Sequence, residues 1–111
     1  GEPTLRRWLM ANEYSIIDET IVEENRKLYE IIVAEKTEQS VSYTDQELLF
    51  GPVLIKKQGP VFTKKWQREL KQRKTVLAQL AKASGEHIEK QAKLQQDQQL
   101  IEEVLTNGCE R

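Results

Sequence analysis

Hydrophobic and polar positions follow two different periods along this chain. Leu5, Trp8 and Leu9 recur at helical spacing, which predicts a short helix over residues 4–12 with Arg6 and Arg7 off its apolar face. Trp8 is expected to pack in a core, and Asn12 supplies a stop signal. Two runs rich in β-branched residues follow, 14–23 and 27–35, separated by Glu24-Asn25-Arg26. They predict an antiparallel hairpin with Asn25 in the left-handed turn position. Residues 28–34 are nearly continuous and apolar, the pattern of a strand covered on both faces. Two strands alone are marginal in water. Ile17, Ile21, Ile31 and Val33 therefore ask for more sheet than the chain supplies, and the remainder is expected upstream.

Residues 36–42 are polar and predict a loop. Thr44-Asp45-Gln46-Glu47 has the form of a capping box, with a short helix running to Phe50 and breaking at Gly51-Pro52. Residues 52–57 predict another helical turn, and Gly59-Pro60 breaks the chain again, with Pro60 suited to a first helical turn. Residues 60–84 predict a long helix. Phe62, Trp66, Leu70, Leu77 and Leu80 share a face, and positions 66, 70, 73, 77, 80 and 84 keep the 4-3 spacing of a coiled-coil seam. Arg73 occupies one seam position and is expected to snorkel to solvent. Gly85 marks a break, and a second helix is expected over 86–106, stopped by Asn107-Gly108. Its stripe of Ile88, Ala92, Leu94, Ile101 and Leu105 is diluted by glutamines. A helix of 25 residues reaches roughly 37 Å, so the pair predicts an antiparallel arm.

Composition changes the picture through its distribution. Across 111 residues the net charge is −1, yet residues 1–50 carry 5 basic and 11 acidic side chains. Residues 51–82 carry 9 basic residues against Glu69 alone, and residues 83–111 hold 3 basic and 6 acidic ones. A basic block inside an otherwise acidic chain points to a polyanion partner. At 100° per residue, Lys64, Arg68, Lys71 and Lys82 share one side of the first long helix, opposite the seam. Lys65 and Lys74 flank them, and Lys56 and Lys57 precede the helix. Helical spacing lets such a row follow a phosphate backbone; the bland alternative is a solvated face.

Other chemistry is sparse. The single cysteine, Cys109, forms no intrachain disulfide and holds no zinc alone. His87 has no ligand neighbours, and Asp18, Glu19, Glu23 and Glu24 are read as ordinary strand-end carboxylates. No glycine-rich cofactor loop, nucleophile motif or metal spacing is present, so no catalytic, cofactor-binding or metal-binding residue is assigned. No apolar run reaches membrane-spanning length and no signal peptide is visible, so a cytoplasmic location without membrane association is expected.

Residues Leu5-Arg6-Arg7-Trp8-Leu9 and Tyr14-Ser15-Ile16-Ile17-Asp18-Glu19 resemble the late part of the TrmK-type tRNA adenine-N1 methyltransferases. The resemblance continues through Lys27-Leu28-Tyr29-Glu30-Ile31-Ile32 and through the stretch from Tyr43 to Pro52, covering about the first half of the chain. It implies an N-terminal Rossmann-like domain that binds S-adenosylmethionine, with its glycine loop and Gln-Pro-Asn-type motif before Gly1. It also implies a C-terminal coiled coil that helps to bind tRNA, and a target adenine in the D-arm at tRNA position 22.

The expected fold is therefore an α+β fragment: the final helix and β-hairpin of a Rossmann-like methyltransferase sheet, then a long antiparallel helical hairpin. Residues 1–36 form the edge of that domain, 37–59 a connection, and 60–111 the tRNA-binding arm. The partners implied are tRNA and the Rossmann domain upstream, and the isolated chain is expected to be inactive. Two alternatives stand beside this reading. One is a non-enzymatic helical adaptor that binds protein through the Trp66, Leu70 and Leu77 seam, which has no need of an orphan hairpin. The other is a methyltransferase with a different substrate.

Overall fold

The computed structural model describes residues 2–83 and 87–109. Along the chain run α1 (Glu2–Ala11), β1 (Tyr14–Glu24), β2 (Lys27–Lys36), α2 (Asp45–Phe50), α3 (Leu54–Lys57), α4 (Pro60–Lys82) and α5 (Ile88–Cys109). They divide into two compact units, Gly1–Phe62 and Thr63–Arg111.

In the first unit β1 and β2 pair antiparallel from Tyr14↔Lys36 to Glu24↔Lys27. Asn25 and Arg26 both have positive φ, 51° and 68°, as a two-residue type I′ turn requires. The turn is thus one residue tighter than the sequence suggests. Ile16 pairs with Ala34 and Asp18 with Val33, which leaves Ile17 as an extra residue in a bulge. One face of the hairpin meets the helices through Ile16 and Glu19. On the other, Val22, Tyr29, Ile31 and Val33 are exposed. The expectation of a strand covered on both faces is therefore not met within this chain.

The helices explain what holds the covered face. Thr44 caps α2 with a complete capping box: its hydroxyl accepts from the Glu47 amide at 3.1 Å, while Glu47 accepts from the Thr44 amide at 2.9 Å. Leu48, Leu49, Phe50, Leu54 and Phe62 are buried, and the Phe50 and Phe62 rings lie 6.1 Å apart. At the centre sits a group of charges. Arg6, wholly buried, donates through Nε to Glu19 at 2.9 Å and through Nη2 to Glu30. Its Nη1 donates to the carbonyls of Leu48 and Leu49 at 3.3 and 3.2 Å. Glu19, also wholly buried, accepts from the Val53 and Leu54 amides at 2.8 and 3.2 Å. The guanidinium thus satisfies carbonyls at the end of α2, and the carboxylate satisfies amides at the start of α3. Gly51 lies between them at φ 99°, where an added Cβ would meet a Glu19 carboxylate oxygen at 2.5 Å and Arg6 Nη2 at 2.8 Å.

Several expectations change here. Arg6 is in the core, whereas Leu5 and Trp8 are exposed, Trp8 stacking on Tyr14 at 5.7 Å. Glu19 is no ordinary strand carboxylate. Of the apolar stripe of α1, Leu9 alone is buried, and Arg6 turns into the core because Glu19 and Glu30 of the hairpin face it there.

In the second unit α4 and α5 are bridged by Arg73 Nε and Asp97 Oδ2 at 3.1 Å. Arg73 stands nine residues before Lys82, the end of α4, and Asp97 nine after Ile88, the start of α5. Ile101, Val104 and Trp66 are buried, while Ile88 is 72% exposed and Ala92 is exposed too. The packed stripe of α5 is therefore rotated from the one expected. Arg73 does not snorkel, because Asp97 and Glu69 hold it at 3.1 Å each. Helix α5 runs past Asn107-Gly108 to Cys109, so that pair is no stop. Ser84, Gly85 and Glu86, expected to carry the last seam position and the break, lie outside the described residues.

Candidate nucleic-acid interface

The cations singled out from the sequence are arranged unevenly. On α4, Lys64, Arg68, Lys71, Lys74 and Lys82 are exposed and Lys65 is half-buried. Positions 64, 68, 71 and 82 share one side of the helix, the side turned from buried Trp66. Lys65 places its ammonium 5.0 Å from the Trp66 ring, and Arg73 lies 5.9 Å from the same ring. Lys65 is thus drawn toward the seam. Lys71 and Lys74 have no ion pair among the described residues. Between α4 residues Gln67, Leu70, Lys71, Lys74, Thr75 and Ala78 the surface forms a shallow concavity of about 460 Å³.

Lys56 and Lys57 belong to the first unit. Lys56 is exposed. Lys57 donates to Asp18 at 2.8 Å and to the Glu19 carbonyl at 3.0 Å. The Asp18 carboxyl is held below its ordinary value by the hydrogen bond from Lys57, then by the Glu19 amide and the Lys57 charge. Lys57 therefore anchors α3 to β1 before any ligand arrives.

A larger groove of about 700 Å³ runs between the two long helices. Leu77 and Ala81 of α4 form one wall, and Gln91, Gln95 and Gln98 of α5 belong to the other. From the sequence these glutamines appear only as diluents of an apolar stripe. Their i, i+4, i+7 spacing is the signal that gathers them on one flank.

Of the two described glycines with positive φ, Gly51 faces the Glu19 carboxylate and Gly59 has nothing within 4 Å of an added Cβ. Among the described residues no three His, Cys, Asp or Glu side chains gather to hold a metal. No helix there is long and apolar enough to cross a membrane.

Fold, hairpin and basic helix together describe an α+β unit with a two-stranded antiparallel sheet, followed by a unit of two long helices. The chain belongs to the TrmK family, tRNA (adenine(22)-N(1))-methyltransferase, whose model matches residues 2–105. It is 36% identical over 110 residues to the tRNA (adenine(22)-N(1))-methyltransferase of Bacillus subtilis, covering 94% of this chain and 46% of that protein. A Streptococcus agalactiae protein of the NADB-Rossmann superfamily is 36% identical with a TM-score of 0.79, over 94% of this chain and 43% of that one. A Streptococcus pneumoniae relative solved in complex with S-adenosyl-L-methionine is 34% identical with a TM-score of 0.75, over 94% and 42%. The chain thus spans less than half the length of these relatives.

Proposed function

We propose that this chain is the C-terminal portion of an S-adenosylmethionine-dependent tRNA methyltransferase acting on N1 of an adenine in the D-arm, position 22. Its α4–α5 pair, a short antiparallel coiled coil, is the tRNA-binding arm. The observation that carries the reading is the family match together with the uncovered apolar face of Val22, Tyr29, Ile31 and Val33. A two-stranded sheet of this kind needs further strands or helices against it, and a Rossmann-like domain upstream supplies them. The cofactor and the chemistry then belong to that domain, and the present residues contribute support and grip. The basic row of α4 neutralises phosphates and sets register on the substrate, while base choice is made elsewhere.

The test is salt-dependent tRNA binding and methylation by the full-length protein and by a Lys64/Arg68/Lys71→Glu variant. Three lost phosphate contacts are expected to reduce the slope of log affinity against log salt by about 2 to 3. Methylation at saturating cofactor should fall through a raised KM for tRNA. An unchanged slope would remove the arm from the RNA interface, and failure to methylate adenine 22 in any tRNA would reject the activity.

A further inference from the structure

We infer that the shallow concavity on α4 around Lys71 and Lys74 seats one strand of the bound RNA by its sugar-phosphate backbone, with Gln67 reading a ribose 2′-hydroxyl. This inference rests on the reading of the α4–α5 pair as an RNA-binding arm. It adds which residues grip the strand and how RNA is told from DNA. Charge selects the place. Residues 51–82 carry Glu69 as their only carboxylate, and Glu69 accepts from Arg73 at 3.1 Å. Asp97 of α5 is likewise held, by Arg73 at 3.1 Å and by Lys93 at 3.0 Å. Lys71 and Lys74 are exposed and carry no ion pair among the described residues, so their charge is open to an anion. Lys57, which donates to Asp18, and Lys65, drawn to the Trp66 ring, are not so placed.

The form of the concavity suits a chain that runs past it rather than a ligand it encloses. Its lining is Gln67, Leu70, Lys71, Lys74, Thr75 and Ala78, all of α4, around about 460 Å³. Gln67 lies one turn before Lys71 and Ala78 one turn after Lys74, so these four form a strip along the helix. The two lysines are about 4.5 Å apart along the axis, and their flexible stems let them take consecutive phosphates of one strand. A ribose then falls against each end of the strip. Half-buried Leu70 and exposed Ala78 offer carbon to the apolar side of a sugar. Thr75 spends its hydroxyl proton on the Lys71 carbonyl at 3.0 Å. Gln67 is exposed, and its amide makes no hydrogen bond among the described residues. A 2′-hydroxyl both donates and accepts, and an amide can answer it in either sense. DNA offers the same phosphates and lacks that hydroxyl.

The test titrates the full-length protein and its Gln67→Ala and Lys71→Gln/Lys74→Gln variants with tRNA and with DNA of the same sequence, across a salt series. Each substitution exchanges one good helix former for another on an exposed surface, so loss of fold is not the readout. The lysine variant is expected to lower the slope of log affinity against log salt by about 1.5 to 2 on both nucleic acids. Gln67→Ala is expected to weaken tRNA binding about fivefold, the loss of one hydrogen bond. Its salt slope and its affinity for DNA should match the wild type, so the preference for RNA narrows by the same factor. A Gln67→Ala protein that binds tRNA within twofold of wild type, or loses DNA binding equally, rejects the inference and leaves the arm reading standing. So does an unchanged slope in the lysine variant when Lys64/Arg68/Lys71→Glu lowers it, because the phosphates then lie elsewhere on the arm. An unchanged slope in both rejects the arm reading and this inference with it.

Discussion

The buried charges around Arg6 allow a prediction whose order is fixed by their number. One guanidinium serves two carboxylates, Glu19 and Glu30, and two carbonyls, those of Leu48 and Leu49. Arg6→Met removes the shared cation and leaves both carboxylates in place, with Glu19 wholly buried. Breaking a buried pair in this way costs about 3–5 kcal/mol, and two carbonyls lose their donor besides. Glu19→Gln is milder. Arg6 keeps Glu30, and the amide oxygen still accepts from Val53 or Leu54, so the loss is about 2 kcal/mol, that of a charge-assisted hydrogen bond. Urea denaturation of both variants, analysed for midpoint and slope, gives the comparison. Hydrogen exchange at the Val53 and Leu54 amides gives the local one, with roughly thirtyfold faster opening expected in Glu19→Gln, since 1.4 kcal/mol is tenfold. An Arg6→Met variant as stable as Glu19→Gln would refute the reasoning, because the shared-cation geometry demands the asymmetry.

Two further outcomes follow from the other ion pairs. Arg73 and Asp97 interrupt an apolar seam, so Arg73→Met alone should lower the thermal midpoint by an amount matching about 1–2 kcal/mol, Lys93 remaining beside Asp97 at 3.0 Å. The double variant Arg73→Leu/Asp97→Leu should be neutral or more stable; a double variant weaker than the single would show that the pair contributes more than its desolvation costs. Asp18 titrates below the ordinary 3.8 because Lys57 donates to it. The pairing therefore stabilises the fold above that value and is lost as pH falls through the lower folded-state one. In an NMR titration Lys57→Met should return Asp18 toward 3.8, and added salt should narrow the difference; an Asp18 curve unmoved by the substitution would assign the shift to the Glu19 amide instead.

How much of this was legible in the sequence depended on whether a signal was local. The Asn25 turn, the Thr44 capping box, the Gly51-Pro52 and Gly59-Pro60 breaks and the long basic helix depend on neighbours a few residues away, and all appear in the structure. The burial of Arg6 did not show, because its partners lie 13, 24, 42 and 43 residues along the chain. Nothing in Leu5-Arg6-Arg7 distinguishes the buried arginine from the exposed one. The basic block on α3 and α4 was legible, yet its division was not. Lys57 is committed to Asp18 and Lys65 to Trp66 through contacts that helical spacing alone does not report.

The exposed apolar positions are themselves informative. Trp8 reads as a core residue, and Ile17, Ile31 and Val33 read as asking for more sheet than the chain supplies; all four are exposed, together with Leu5, Val22 and Tyr29. They belong to one unit, on α1 and the hairpin, while the helices α2 and α3 of the same unit bury the residues their pattern marks. A random failure of patterning would scatter such positions over both units. Among the described residues of the second unit, only Ile88 is a large apolar side chain so exposed. The uncovered surface is thus a property of the hairpin and its preceding helix. At about 25 cal/mol for each Å² of apolar surface removed from water, covering it is a substantial driving force. A Rossmann-like sheet continuing from these strands meets that demand with backbone hydrogen bonds as well as side-chain burial. A helical adaptor accounts for the basic arm and leaves the hairpin's apolar face unexplained, so the methyltransferase reading is the one that accounts for both units.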